Sequence, residues 1–460
     1  MRYKHIAFTV ALIAAALMGD APQRHPIAVL IAGAALAALA AMWIMRPTIP
    51  RNVVSYALLA FLASIAISLP VALANGTTVF DWAFRAAVPL SLMGVFFLVP
   101  IETEEGQSTV LRVILAACVA WAALSIWQLS GRTDLIWSYR WTSLANNMIV
   151  PFNLVAVAIL LFGRNLVSPR MTWLLLIVFG LLTVGGGYRS HILIVIGLLV
   201  AFAVSLPFVT EYRRRATPVV LIAALSIAPF YVSGMWMQNM EVGEYEEKIA
   251  AENPPAAKPD EPEAPPATKA PPAAIVKVEA GIPWLRKFLG SRDGSRVLEI
   301  EYAYRNFMES PLVGKGLAFP IPSEIHFYNN LDYLRRLEAA YGKTYPRVYM
   351  MHNFPASIAM TMGLMGLASL GVFFIGLLVH ALKGGATAAP AFAAIAAICV
   401  FSLISAAWTL PQFSLLIGTL AAVVSQKRGR QRHSNEASID EKYGDSHSQR
   451  HGLSSVLGGR

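Results

Sequence analysis

Four short stretches of this 460-residue chain bring together residue types that do chemistry. His352-Asn353 stands just before a long apolar run. Histidine is the side chain whose ordinary pKa lets it take a proton near neutrality; the plainer reading is a histidine that merely begins a helix. Arg189 follows three glycines, Gly185–Gly187, in GGGYRSHIL. Glycine lets the backbone turn sharply and approach a ligand closely, whereas an ordinary turn arginine extends to lipid headgroups. Arg292 and Arg296 lie in SRDGSR, residues Ser291–Arg296, ahead of a segment with amphipathic helical periodicity. Two guanidinium forks among small residues match phosphate oxygens, and a solvated loop is the alternative. Asp81 and Arg85 are four apart, which suits a simple pair along one helix face.

What is absent narrows the chemistry. The chain has no glycine-rich phosphate loop with lysine, no HExxH, no Asp-x-Asp pair and no clustered carboxylates, so neither a metal nor an organic cofactor is expected. Cys118 and Cys399, the two cysteines, each lie inside an apolar run, which argues against a disulfide framework or a cysteine metal site. Basic side chains with one histidine suit an anionic, already activated substrate such as a lipid diphosphate.

Helices in a bilayer must position these groups. With 56% hydrophobic and 14% charged residues, the chain is far more apolar than a soluble domain, whose charged share is ~25%. A span needs roughly 20 apolar residues. Spans are expected near 4–19, 26–45, 53–74, 79–99, 109–129, 147–164, 171–187, 190–208, 217–238, 354–381, 387–406 and 408–424, giving an all-α polytopic membrane protein. The first has the basic start of a signal peptide but a poor cleavage site, and is read as a helix. The net charge of +10 falls in short clusters between apolar runs: Arg46/Arg51, Arg164/Arg170, Arg213–Arg215, Lys383 and the Lys427–Arg432 tail. That is the pattern of cytoplasmic loops facing anionic lipid, not of a nucleic-acid surface. Both termini are therefore expected inside, and by parity the long loop from about Gln238 to Met351 is outside. Its residues 250–280 are Pro/Ala-rich and read as a flexible linker. Val297–Ser310 and Ser323–Tyr341 have helical periodicity and are expected to form a small cap on the outer surface.

Three segments, taken together, resemble the O-antigen ligase family of bacterial polysaccharide enzymes. His352-Asn353, nine residues, then Gly363-Leu364-Met365-Gly366 is similar to the family's histidine motif at the end of its large periplasmic loop. Arg189-Ser190-His191-Ile192-Leu193 resembles its arginine–leucine motif, and Ser295-Arg296 followed by Pro311-Leu312-Val313-Gly314-Lys315-Gly316 resembles its loop pattern. The resemblance spans about residues 50–424 and implies a multi-pass enzyme of the bacterial inner membrane whose site faces the periplasm. It implies transfer of a finished glycan from undecaprenyl diphosphate to a sugar hydroxyl of lipid A–core, without ATP or metal. On that pattern His352 would take the proton from the acceptor hydroxyl, and Arg189 and Arg296 would hold the diphosphate. Arg292, Lys315, Arg305 and Arg85 are further substrate-binding candidates, and Asn353 would either orient the histidine or cap the next helix. No enzyme nucleophile is evident, so direct displacement with inversion at the anomeric carbon is expected.

The expected organisation is transmembrane helices over 1–238, a Pro/Ala-rich periplasmic linker over 239–280 and a helical loop domain over 281–352. Further transmembrane helices follow over 353–424, then a disordered cytoplasmic tail over 425–460. Arg305, ten residues, then Gly316 also resembles the arginine–glycine spacing of O-antigen polymerases, which keeps a polymerase using the same donor as an alternative. A twelve-span transporter is the reading from another class, but its ionisable residues should gather at the bilayer midplane, and here they gather at one face.

Overall fold

The computed structural model describes residues 2–17, 26–45, 49–101, 103–130, 151–185, 189–206, 209, 294–326, 351–384, 387–403 and 411–425. The described chain is all-helical and without strands. It comprises α1 (Arg2–Leu17), α2 (Pro26–Met45), α3 (Val53–Ala74), α4 (Val79–Leu98), α5 (Glu104–Ser130), α6 (Phe152–Phe162), α7 (Pro169–Gly185), α8 (Arg189–Ser205), α9 (Gly294–Glu309), α10 (Ser323–His326), α11 (Phe354–Lys383), α12 (Ala388–Ser402) and α13 (Pro411–Ser425). Every expected span coincides with one of these helices except that near 217–238, which lies outside the described residues. The linker, Arg292, residues 327–341 and the tail beyond Ser425 lie outside them too.

Five helices, α2, α3, α4, α5 and α11, are long and apolar enough to cross a membrane, and α1, α6, α7, α8, α12 and α13 are shorter apolar helices. Large apolar side chains stay exposed along the long ones, among them Ile27 and Leu30 on α2, Leu59 and Ile67 on α3, and Ile375 and Leu382 on α11. An apolar surface of that extent belongs in lipid rather than water. The chain is a membrane protein. α6 differs from its neighbours: every residue from Phe152 to Phe162 is buried, as expected of a helix that is apolar on all sides. It packs against α12, α7, α5 and α8 and forms the centre of the bundle.

Local sequence fixes the helix ends. Asn52 caps α3, accepting from the Ser55 N–H at 2.8 Å, and its own amide donates to Ser425 O at 3.3 Å. The start of α3 and the end of α13 therefore share one face of the bundle. Thr78 caps α4, its hydroxyl accepting from the Asp81 N–H at 3.1 Å. α3 lies alongside α11 with Gly376 against Val53 and Val54, so the two run antiparallel. The opposite face, at Asn75, is the one the charge pattern assigns to the outside, and the loop domain sits there.

One long element departs from its sequence reading. The apolar run from Phe354 reads as one span, but α11 is broken at Gly363, whose φ of 60° and ψ of −156° are non-helical. The Pro311–Gly316 loop enters the break. Lys315 and Gly316 donate their N–H groups to Met360 O and Thr361 O (2.8 and 2.9 Å), while Leu364 and Met365 donate to Pro311 O and Leu312 O (2.8 and 3.2 Å). In an unbroken helix Leu364 and Met365 would bond those same Met360 and Thr361 carbonyls. Two intrahelical bonds are thus replaced by four to the loop, so the four backbone groups freed by the break are met. On its other side Gly316 lies directly on the backbone of Ala72 in α3, and Asn75 Nδ2 donates to Lys315 O at 3.0 Å. Below the break, Leu364–Lys383 is about 30 Å long, one bilayer core. The part above it, Phe354–Met362, packs against the loop domain through Ala303, Ile321, Met351 and Met360.

Candidate functional site

α9 carries the loop domain's chemistry. It buries Val297, Glu299, Glu301 and Ala303, and a carboxylate buried among apolar neighbours is costly unless hydrogen bonds replace its water. Glu299 obtains them from two histidines. His326 Nδ1 lies 2.7 Å from its Oε1, His352 Nδ1 lies 3.0 and 3.1 Å from Oε1 and Oε2, and the His352 backbone N–H donates to Oε2 at 2.8 Å. Burial alone would raise the Glu299 pKa. The bonds from His326 and His352, the charge of His352 and its backbone N–H outweigh burial and pull the value down to about 2. Glu299 is therefore an ionised acceptor, and both histidines must present Nδ1–H to it. That leaves the Nε2 of His352 on the side away from the carboxylate, on a side chain 31% exposed. An imidazole with its tautomer fixed by a carboxylate and its second nitrogen facing outward is the arrangement of a general base.

His326 comes from α10 and stacks on His352, with ring centroids 5.0 Å apart and planes at 14°. The donor atoms of Glu299, His326 and His352 lie within 4.8 Å of one another. The shortest nitrogen–oxygen separations are hydrogen-bond lengths.

Asn353 docks the site on the bundle. Its Oδ1 accepts from the Ala356 N–H at 2.9 Å, capping α11, and its Nδ2 donates to Leu403 O at 3.0 Å, just beyond α12. α11 and α12 leave the same short connection. A straight 30-residue α11 would rise about 45 Å and the 15-residue α12 about 22 Å, so their far ends meet because α11 turns at Gly363. Phe401, two residues before Leu403, holds the ring of His191 at a 4.8 Å centroid distance. His191 lies in the first turn of α8, the helix that begins at Arg189. Arg296 is half-buried on α9, one turn before Glu299 and on the same side of the helix. The start of α8 and His352 are thus each tied to the end of α12, at one corner of the bundle, and Arg296 lies one turn of α9 from the carboxylate that holds His352.

Other expected residues are placed differently. Arg296 lies within α9, which begins at Gly294, rather than in a loop ahead of it. Lys315 pairs with Glu309 at 2.6 Å, and the exposed Arg305 pairs with the buried Glu301 at 2.9 Å. Asp81 accepts from the Thr78 hydroxyl at 2.8 Å, and the Arg85 guanidinium lies 5.5 Å from the Phe84 ring centroid. Glu299 and His326 were not among the sequence candidates. Their signal is a carboxylate one turn before the buried Ala303 on an amphipathic helix, with a second histidine in the same loop. Also unforeseen is a buried polar group under the corner. Asn153 Nδ2 donates to Thr183 Oγ1 at 2.8 Å and lies 3.4 Å from His191 Nδ1.

A polytopic helical membrane protein with a carboxylate-held histidine on a clipped-in loop domain is the class that fold and site define. Residues 156–371 match the family model for O-antigen ligase, a stretch running from α6 past the break in α11 and including Arg189, Arg296, Glu299, His326 and His352. Through this segment, just under half of its length, the chain is similar to the O-antigen ligase family. No curated protein matches the chain.

Proposed function

We propose that this protein is an inverting membrane glycosyltransferase of O-antigen ligase type. It moves an undecaprenyl-diphosphate-linked polysaccharide to a sugar hydroxyl of lipid A–core at the periplasmic face of the bacterial inner membrane. The observation that carries the reading is His352, held through Nδ1 by the buried Glu299 with Nε2 facing outward. Nε2 takes the proton of the acceptor hydroxyl as that oxygen attacks the anomeric carbon, a role worth roughly 10²–10⁴-fold. The carbon–oxygen bond to the diphosphate breaks from the opposite side, and undecaprenyl diphosphate leaves. Arg189 and Arg296 meet the departing diphosphate, where fixed positive charge lowers the barrier most. Arg292 is a further ligand for that anion, while Lys315 and Arg305, already paired with carboxylates on α9, have the weaker claim. The reaction needs no metal and no ATP, since the donor is already activated.

Lipopolysaccharide gels of a deletion strain, complemented with wild type or His352→Ala, test this. Bare core with polymer accumulating on the lipid carrier, unrelieved by His352→Ala, is the expected result. Core bearing a single repeat unit would make the protein a polymerase using the same donor, and full rescue by His352→Ala would remove the base.

A further inference from the structure

We propose that Glu299 and His326 set the proton affinity of His352 in opposite directions, Glu299 raising it and His326 lowering it. This rests on the reading of His352 as the base. Two imidazoles share one buried carboxylate, and both use Nδ1 on Oε1, at 2.7 Å for His326 and 3.0 Å for His352. An ionised and desolvated carboxylate favours the charged form of an imidazole bonded to it. His326 relieves this in either of its charge states. Neutral, it donates Nδ1–H to Oε1 and takes up part of the carboxylate's charge. Protonated, it places a like charge against the His352 ring, 5.0 Å away and nearly parallel. Both effects weaken the hold of Glu299 on the His352 proton.

Other charged groups lie on the neighbouring elements. On α9, Glu301 pairs with Arg305, and Glu309 with Lys315, while Arg296 lies one turn from Glu299. Tyr302 donates to Pro320 O at 3.2 Å, and burial raises its pKa. Glu324 lies on α10 two residues before His326. The titratable groups of α11, His380 and Lys383, are at its far end, and that of α12 is the Cys399 thiol. Glu299 is further held as an acceptor by the His352 backbone N–H, so the shared carboxylate cannot swing away from either ring. Glu299 and His326 are thus positioning residues acting through His352.

The test is a titration of the His352 imidazole by nitrogen-15 NMR on the full-length protein in detergent, the resonance assigned by its loss in His352→Ala. Glu299→Gln is expected to lower the midpoint by roughly 1–3 pH units. His326→Phe keeps the stacked ring and removes the donor, and is expected to raise the midpoint by several tenths to about one unit. Midpoints that do not move, or that move in the same direction in both variants, overturn the proposal. Should Glu299→Gln fail to fold, Glu299→Asp keeps the charge at a longer reach. It is expected to lower the midpoint by less, and an unmoved midpoint there also overturns it. The pH–rate profile of glycan transfer separates the two readings. An acid limb that follows the NMR midpoints in the variants supports both. Opposed midpoints with a transfer rate indifferent to the His352 state uphold the tuning and overturn the base.

Discussion

Replacing Gly363 by alanine tests the clip between loop domain and span, because nearly every term of the cost can be read from the structure. A Cβ there would stand 2.5 Å from the carbonyl carbon and oxygen of Leu312 and 2.7 Å from the nitrogen of Gly314. None of these is a side-chain tip that can swing aside. The φ of 60° with ψ of −156° is a region open to glycine and costing another residue on the order of 1–3 kcal/mol, and the overlap adds about 1–3 kcal/mol. If the loop instead backs out, four backbone bonds of about 0.5–1.5 kcal/mol each are lost. Either route gives a loss of roughly 2–6 kcal/mol. Gly371→Ala, eight residues along the same helix, is the control. A Cβ there meets nothing within 4 Å, and alanine is the better helix former by about 0.8–1.0 kcal/mol. Thermal unfolding of both variants in one detergent should place Gly363→Ala several degrees below wild type and Gly371→Ala at or above it. Transfer activity should fall with the first, since the break also turns His352 toward α12. Two variants melting within a degree of each other would refute the clip.

Two further outcomes are expected. Asn353→Ala removes both the α11 cap and the bond to Leu403 O, for a loss of about 1–3 kcal/mol seen as a lowered melting temperature. Asn353→Asp should lie between, since it keeps the cap but loses the donor. The depressed Glu299 pKa makes stability depend on acid. The folded-state value is lowered from 4.5 to about 2, so its contribution of about 3 kcal/mol is complete above pH 4.5 and drains away as the pH falls toward 2. Wild type should lose stability across that window and Glu299→Gln much less; equal losses would assign the acid sensitivity elsewhere.

The membrane helices were legible because their signal is local. Each run of apolar residues carries its own length, and Asn52, Thr78 and Asn353 mark helix starts as side chains that accept a backbone N–H. The break at Gly363 was not legible, although the glycine was visible, because a segment some fifty residues earlier creates it by bonding into the helix. The same distinction divides the site. His352 stands out by its place before an apolar run. Glu299 is one of several acidic residues on α9, and only the arrival of His326 and His352 from later in the chain makes its burial tolerable. Arg305 and Lys315 show the converse, cations on α9 or just past its end whose carboxylate partners lie on that helix and which spacing alone presented as candidates for a substrate anion.

The complete burial of α6 has a consequence for biosynthesis. A helix with no lipid-facing side cannot reach its final surroundings when it leaves the ribosome, because α12, which covers one side of it, begins at Ala388, 226 residues after Phe162 (388 − 162). Until then its apolar sides must be shielded by lipid or by the insertion machinery. The enzyme's centre is therefore among the last parts to close, and a chain halted before α12 should be a target for membrane quality control rather than a partly active enzyme.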